Sequence, residues 1–179
     1  GAGNDTVTVT GTGNTVYGEA GNDVINDKGN NNTLVGGTGS DTYNVTWEWG
    51  NKVNIDNSGY NTGDKDVLTL SLGNSNNYHY SYDSARDAMV IGDFSGGRVA
   101  IENWSKNKLA EVRFASGSLT TSQIESKANA GITTALSNRD VILNEYANNL
   151  TASSTNAKIY AGAGNDTVTV TGTGNTVYG

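Results

Sequence analysis

The 179-residue sequence contains no cysteine, no proline and a single histidine. Without cysteine the chain can form no disulfide, no thiol nucleophile and no zinc ribbon. Without proline it is unlike a polyproline segment or a Pro-rich linker. No apolar run approaches the ~18 residues of a membrane span, and the first residues, GAGNDTVTV, do not read as a secretion signal.

Basic residues are also scarce, because 11 Lys and Arg stand against 18 Asp and Glu, for a net charge of −7. A chain this acidic lacks the basic face that binds a nucleic-acid backbone, but it is compatible with binding cations. Apolar residues make up 35% of the chain and glycine supplies 24 residues. This composition favours a narrow fold with many tight turns over a thick apolar core.

The chain carries a long internal repeat. Residues 1–18 and residues 162–179 both read GAGNDTVTVTGTGNTVYG, an identity over 18 positions at an offset of 161. Chance does not produce such an identity, so either the chain is one unit of a tandem array or one piece was duplicated artificially. We favour the array, in which neighbouring repeats are partners head to tail.

A shorter period lies within the first 45 residues. Glycine-rich turns with Asp5, Asp23 and Asp41 recur every 18 residues, and turns with Asn14 and Asn32 recur halfway between them. One turn and one short strand per nine residues predict a solenoid whose coils stack about 4.8 Å apart. Alternate members of the following apolar series would form two facing core ladders: Val7, Val16, Ile25, Leu34 and Tyr43.

The glycine-aspartate turns are predicted to bind calcium. Stacked carboxylates repel one another unless a cation lies between them, and Ca²⁺ accepts both carboxylate and backbone carbonyl oxygens. The turns 1–5, 18–23 and 36–41 therefore predict two sites, each shared by consecutive turns on one edge of the solenoid. Their predicted ligands are Gly1, Gly3, Asp5, Gly18, Gly21, Asp23, Gly36, Gly37, Gly39 and Asp41.

Two alternatives accompany this prediction. The edge that carries Asn14 and Asn32 lacks charge, so it would hold no ion or a weakly bound one, or form an amide ladder instead. A G-N-D turn can also be no more than a hairpin signal. Three copies in one 18-residue phase, in step with the apolar ladders, disfavour the hairpin.

The nonapeptides GAGNDTVTV, GEAGNDVIN and GGTGSDTYN resemble the GGxGxDxUx repeats of RTX proteins. Copies 9–17 and 27–35 depart from the pattern, with Asn in place of Asp. The resemblance implies a parallel β-roll that folds when it binds Ca²⁺. It also implies a secreted or surface-attached bacterial protein exported by type I secretion.

Residues 46–142 are not repetitive and predict a β-rich extension with one short helix over about 122–136. Its strands DVLTL, GGRVAIENW and LAEVRFASGSLT are similar to the segment that follows the repeats in hemolysin-type calcium-binding proteins. That similarity implies a calcium ligand at Asp66, with Asp56 or Asp64 as further candidates. The alternative is a solvated acidic turn.

Residues 143–179 predict the start of a second roll, since Leu150 and Ile159 are nine residues apart and lead into the repeated coil. Asp166 is a predicted calcium ligand there. The domain prediction is therefore a five-nonapeptide roll over 1–45, the extension over 46–142 and the second roll over 143–179.

Catalysis finds little support in the sequence. His79 is predicted to occupy an exposed strand position, and no G-x-S-x-G sequence is present. No catalytic or organic-cofactor residue is therefore assigned. The strand containing Tyr78, Tyr80 and Tyr82 is either core or a face that stacks on sugar rings, and core is favoured.

The sequence thus predicts an all-β, non-enzymatic, calcium-dependent structural module, adhesin-like or fibre-forming, at a bacterial surface or outside the cell. The alternative is a carbohydrate-binding module of a polysaccharide-active protein. Calcium ions and neighbouring repeats are the expected partners, with a polysaccharide or cell surface as a candidate ligand.

Overall fold

The computed structural model describes residues 1–59, 61–138 and 140–179, without the side chains of residues 133–137. Within these ranges the chain forms strands, a short 3-10 turn at Ser75–Asn77 and one α-helix, α1, at Thr121–Ala130. The predicted all-β fold, a parallel β-roll with one short helix, is confirmed. The strands are β1 Thr6–Val9, β2 Thr15–Ala20, β3 Val24–Asp27, β4 Asn32–Thr38, β5 Thr42–Val45, β6 Lys52–Asp56, β7 Val67–Leu70, β8 His79–Asp83, β9 Ala88–Gly92, β10 Arg98–Glu102, β11 Glu111–Arg113, β12 Ser118–Thr120, β13 Ile132–Ser137, β14 Asp140–Ile142, β15 Asn149–Thr155, β16 Lys158–Tyr160, β17 Thr167–Thr171 and β18 Thr176–Tyr178.

The first roll has two facing sheets, with strand orders β1-β3-β5-β7-β11-β12 and β2-β4-β6-β10-β9-β8. The predicted ladders are confirmed: Val7, Ile25 and Tyr43 pair in succession in one sheet, and Val16 pairs with Leu34 in the other. Ile25, Leu34 and Tyr43 are completely buried. Each such side chain stabilises the roll by about 1.5–3 kcal/mol.

The parallel stacking does not end at residue 45, where the nine-residue period ends. Leu34 pairs with Ile55 at an offset of 21, and Tyr43 pairs with Leu68 at an offset of 25. β10 and β11 then continue the two sheets in parallel. Between β4 and β6 and between β5 and β7 the additional residues lie in the turns, where solenoids accept insertions, whereas the longer offsets to β10 and β11 contain the hairpin of β8 and β9. The sequence period is therefore lost although the strand pairing continues.

Antiparallel strands and α1 cover the last coils of the first roll. β9 and β8 pair antiparallel beyond β10, and β12 pairs antiparallel with β11. α1 packs against both β8 and β12 and buries Ile124 completely. α1 thus packs against the last strand of each sheet, at the end opposite β1 and β2.

α1 is shorter than the predicted helix over 122–136. Gly131 has a φ of 72°, and its N–H donates to the carbonyl of Ala128. This left-handed conformation ends the helix. The next residue, Ile132, begins β13 and pairs with Leu150. Residues that the helical pattern had included therefore form a strand.

The second roll begins at Ile132 rather than at residue 143. Its strand orders are β13-β15-β17 and β14-β16-β18, all parallel. Ile132 pairs with Leu150 and Leu150 pairs with Val168, so the 18-residue register extends one coil before the predicted start. The apolar spacing of Ile132 also fits a helix, which is why the sequence alone did not reveal this coil.

A partly buried ion pair joins the two rolls. Glu145 follows β14, and its Oε1 accepts hydrogen bonds from Nε and Nη2 of Arg98 at 3.0 and 2.8 Å. Its Oε2 lies 3.0 Å from Nζ of Lys52. Arg86 donates to the backbone carbonyl of Glu145 at 2.7 Å and lies over the ring of Tyr146. Three cations of the first roll therefore hold one turn of the second.

Replacing Glu145 with alanine should destabilise the protein by about 1–3 kcal/mol, because Arg98 is buried and loses its charged partner. The control is Glu111→Ala, which removes an exposed ion pair with Arg113 that contributes ~0–1 kcal/mol. Urea unfolding at one fixed calcium concentration measures both losses. Equal losses would contradict the role of Glu145 at the junction.

Candidate metal centre

Four of the predicted aspartate ligands form a ladder along one edge of the first roll. Oδ1 of Asp23 accepts a hydrogen bond from the backbone N–H of Asp5 at 2.8 Å, and Oδ1 of Asp41 accepts from the N–H of Asp23 at 2.8 Å. Asp66 continues the pattern, since its Oδ1 accepts from the N–H of Asp41 at 2.7 Å. One oxygen of Asp23, Asp41 and Asp66 is thus committed to the preceding turn.

The second oxygen of two of these carboxylates has no hydrogen-bond donor. Asp23 and Asp41 are each 1% exposed. Their Oδ2 atoms are buried and have no partner among the residues that the structure describes. A buried carboxylate oxygen without a donor or a cation is costly in free energy. A cation beside each Oδ2 would supply the missing interaction.

Only glycine fits directly against these two oxygens. A Cβ at Gly18 would overlap Oδ2 of Asp23 and the carbonyl oxygen of Gly36. A Cβ at Gly36 would overlap Oδ2 of Asp41 and the hydroxyl of Tyr43. Carboxylate and carbonyl oxygens lying beside one another are the ligands that Ca²⁺ takes in proteins. The residues present therefore fit calcium.

The other predicted glycines allow the turns to stack closely. A Cβ at Gly21 would overlap the carbonyl oxygen of Gly3, a Cβ at Gly39 that of Gly21, and a Cβ at Gly37 that of Glu19. No three acidic or histidine side chains gather around one point in the described part of the chain. Backbone carbonyls would therefore have to complete any cation site.

Two predicted ligands lie away from the buried pair of aspartates. Gly1 is in the first turn, and its amino group donates to the carbonyl of Gly18 at 3.2 Å. Asp166 is in the second roll, where its Oδ1 accepts from the N–H of Asn148 at 2.9 Å. Asp166 thus has the same hydrogen bond as the first-roll aspartates, but in a separate ladder.

Asp66 differs from Asp23 and Asp41 although it belongs to their ladder. Its Oδ2 accepts a hydrogen bond from Nδ2 of Asn57 at 2.8 Å. Oδ1 of Asn57 in turn accepts from the hydroxyl of Tyr43 at 2.8 Å. Both oxygens of Asp66 therefore have protein donors, unlike those of the two preceding aspartates.

The two further candidates in this region bond to the backbone around them. Oδ1 of Asp56 accepts from the N–H of Ser58 at 3.0 Å. Oδ2 of Asp64 accepts from the N–H groups of Asn61 and Gly39 at 2.7 and 3.1 Å. Such side-chain-to-backbone bonds are typical of polar turns.

The opposite edge carries the asparagine ladder and a buried aspartate that the sequence reasoning missed. Oδ1 of Asn32 accepts from the N–H of Asn14 at 2.8 Å. Nδ2 of Asn32 donates to Oδ1 of Asp27 at 2.9 Å, and both residues are completely buried. The signal was available, because Asp27 lies nine residues from both Gly18 and Gly36 and takes the place of glycine in the period.

The prediction that His79 is exposed is wrong. His79 is 3% exposed, and its Nε2 lies 3.0 Å from the carbonyl oxygen of Asp93. Burial lowers the pKa of His79 to about 4, so its imidazole is neutral at pH 7. The ring of Phe94 lies 5.3 Å from that of His79 and helps to cover a strand face that alternation assigned to solvent.

The tyrosines of the same strand region divide between core and surface. Tyr78 and Tyr80 are buried in the core of the first roll, as predicted. Tyr82 is 40% exposed, and its hydroxyl donates to Oδ1 of Asp87 at 2.8 Å. The three rings therefore do not form one exposed face for stacking on sugars.

Comparison with known families agrees with this geometry. The RTX calcium-binding nonapeptide repeat matches residues 8–43 and 144–179, in four copies. The first segment contains the Asp23 and Asp41 turns, and the second contains the Asp166 turn. Both segments are therefore similar to RTX calcium-binding repeats, which makes Ca²⁺ the expected ligand of their turns. No curated protein matches the chain.

Among the described residues, no helix combines the length and the apolar character needed to cross a bilayer. α1, at Thr121–Ala130, has ten residues and buries Ile124 against the first roll. It serves to pack the roll.

The calcium-free protein should become more stable as the pH falls from about 7 to about 5. Burial raises the pKa of Asp41 to about 6, despite the opposing hydrogen bond from Asp23. A carboxyl whose pKa is higher in the folded state stabilises that state fully below its unfolded pKa of about 4, and this stabilisation is lost as the pH rises through about 6. The strand signal in circular dichroism of the calcium-free protein, followed from pH 7 to pH 5, measures the gain in the folded fraction.

The control for this pH dependence is Asp41→Asn, which cannot titrate and should have a shallower slope. In saturating calcium the sign should reverse, since protons compete with the cation for the carboxylates. A wild-type protein that gains stability with rising pH in the absence of calcium would contradict the prediction.

Proposed function

We propose that the chain is a non-enzymatic structural module whose first roll folds stably when Ca²⁺ binds beside Asp23 and Asp41. The observation that carries the proposal is the pair of buried Oδ2 atoms without donors, which lie directly against Gly18 and Gly36 and near backbone carbonyl oxygen. The ion supplies positive charge to these carboxylates. The chain supplies oxygens that the stacked turns hold in place.

The mechanism is coupled binding and folding. Without calcium, consecutive turns place like charges close together and leave buried oxygens unpaired, which opposes folding. A cation that binds only the folded turns adds its binding free energy to the stability of the roll. A chain that stays unfolded at low calcium suits export by type I secretion, followed by folding outside the bacterial cell.

The repeated coil supports a tandem array. In residues 1–18, Val7 pairs with Ile25 of the following coil. In residues 162–179, the matching Val168 pairs with Leu150 of the preceding coil. The same 18 residues therefore use opposite edges in their two positions. One copy could pair on both sides at once and join the second roll of one unit to the first roll of the next.

A stiff row of such units would suit an adhesin-like or fibre-forming role at a bacterial surface. Stability in a solenoid adds from coil to neighbouring coil, so a continuous array gains from its length. The carbohydrate-binding alternative loses the face predicted for it, because Tyr78 and Tyr80 lie in the core.

A calcium titration followed by circular dichroism tests the proposed function. Strand signal should appear with calcium and disappear on chelation. Asp23→Asn should raise the calcium concentration at the midpoint more than Asp5→Asn, since Asp23 is buried and Asp5 is exposed. Each change removes one carboxylate charge and keeps an amide oxygen at its position, so the two variants differ mainly in the burial of the charge that is lost.

Full folding of the wild type in chelator would refute calcium-dependent folding. Equal midpoints for the two Asp→Asn variants would refute the assignment of the buried carboxylate as the more important ligand.

The proposed array makes a prediction about thermal unfolding. It concerns a chain of two successive periods that are joined through one shared copy of the repeated 18-residue coil. This chain should unfold at a higher temperature than the single chain in the same calcium buffer, because the shared coil is paired on both edges. The control joins two complete chains through a flexible Gly/Ser linker. Identical unfolding temperatures for the shared-coil and linker chains would count against a continuous roll.

A further inference from the structure

Three successive turns on the aspartate edge have different residues at one equivalent position. The strand register aligns Tyr17 with Val35 and Val35 with Asp56. The residues that follow these three are Gly18, Gly36 and Asn57. Gly18 and Gly36 lie within β2 and β4, and Asn57 directly follows β6; each leads into a turn that ends in a ladder aspartate. The first two positions are glycine, and the third carries a side chain.

That third side chain reaches the oxygen that lacks a donor in the other turns. A Cβ at Gly18 or Gly36 would lie against Oδ2 of the aspartate in its own turn. A side chain at this position therefore projects into the space beside Oδ2. In the third turn, Nδ2 of Asn57 occupies that space and donates to Oδ2 of Asp66 at 2.8 Å.

The Asn57 side chain is buried and held on both sides. It is 2% exposed, and Asp66 is 1% exposed. Its Oδ1 accepts from the hydroxyl of Tyr43, and the backbone N–H of Gly36 donates to that hydroxyl at 3.0 Å. The amide is thus fixed with its N–H directed at the carboxylate, where it offers positive partial charge to the same oxygen that a cation would contact.

We propose that the Asn57 amide takes the place of a calcium ion in the Asp66 turn, so that the residue opening each turn determines whether the turn binds calcium. Glycine has no side chain beside Oδ2 of the aspartate, so an ion can contact this oxygen. Asparagine places its amide there, and the amide N–H donates to the same oxygen. This inference rests on the proposed calcium binding at Asp23 and Asp41. It assigns to Asp66 a role as the ion-free end of the ladder.

The opposite edge has a second turn with the same pairing and the partners exchanged. Asp27 opens that turn and Asn32 closes it, with Nδ2 of Asn32 donating to Oδ1 of Asp27 at 2.9 Å. Oδ1 of Asp27 also accepts from the N–H of Gly29 at 2.9 Å. A side chain at the equivalent position again pairs with the residue that closes the turn, but here Oδ2 of Asp27 stays buried without a partner among the described residues.

The test compares Asn57→Gly with Asn57→Ala by calcium equivalents per folded chain, measured by equilibrium dialysis. Both variants remove the amide. Glycine also opens the space beside Oδ2 of Asp66, whereas alanine keeps a Cβ in it. We expect one more bound calcium per chain than wild type in Asn57→Gly and no additional calcium in Asn57→Ala.

Thermal unfolding gives a second readout. At a subsaturating calcium concentration both variants should unfold at lower temperature than wild type, since Asp66 loses a donor. Saturating calcium should restore Asn57→Gly towards the wild-type temperature and leave Asn57→Ala below it.

The outcomes separate this inference from the proposed function. A wild-type chain that binds no calcium would overturn the proposed function. A wild-type chain that binds calcium, with no additional equivalent in Asn57→Gly, would overturn the inference alone. An additional equivalent in Asn57→Ala as well, or failure of Asn57→Gly to fold in calcium, would also overturn it.

Discussion

The structure depends on one hydrogen bond that recurs along both rolls, in which a backbone N–H donates to the side-chain Oδ1 of an Asp or Asn in the next coil. It links Asp23 to Asp41 in the first roll and Asn148 to Asp166 in the second. This N–H lies in a turn, outside the strands, so the side chain supplies the acceptor that it needs. Because the acceptor belongs to the next coil, the bond also fixes which apolar residues meet in the core.

The same bond sets the register of the coils whether the side chain that accepts it is charged or neutral. Asn and Asp both offer Oδ1 to the backbone, so either can hold the stacking, but only Asp adds a second oxygen that carries charge. At Asp23 and Asp41 this oxygen has no donor, whereas at Asp66 the amide of Asn57 supplies one. Calcium dependence therefore resides in particular turns, and the roll contains turns that stack by neutral or internally paired groups.

The nine-residue period was sufficient to predict the ladders of the first roll and the aspartates along its edge. It could not predict the coils beyond residue 45, because turn insertions change the spacing in sequence while the strands keep their pairing. It also missed Asn57 and His79, whose roles arise from contacts with residues distant in the chain. Ile132 fits both a helical stripe and a coil register, and the pairing with Leu150 decides between them.

β8, β12 and α1 cover the first roll and thereby limit the folding cooperativity between its coils and those of the second roll. Within a solenoid, stability passes from one coil to the next through strand pairing, and antiparallel strands with a helix interrupt that path after β11. The second roll starts directly after this cover, at Ile132, and its Glu145 is bound by Arg98 of the first roll. At this point continuous strand pairing gives way to an ion pair, an isolated backbone bridge between Ser95 and Ile142, and the packing of Tyr146 against strands β9 and β10. Folding in one roll can still influence the other through these contacts, of which the ionic part decreases as salt screens it.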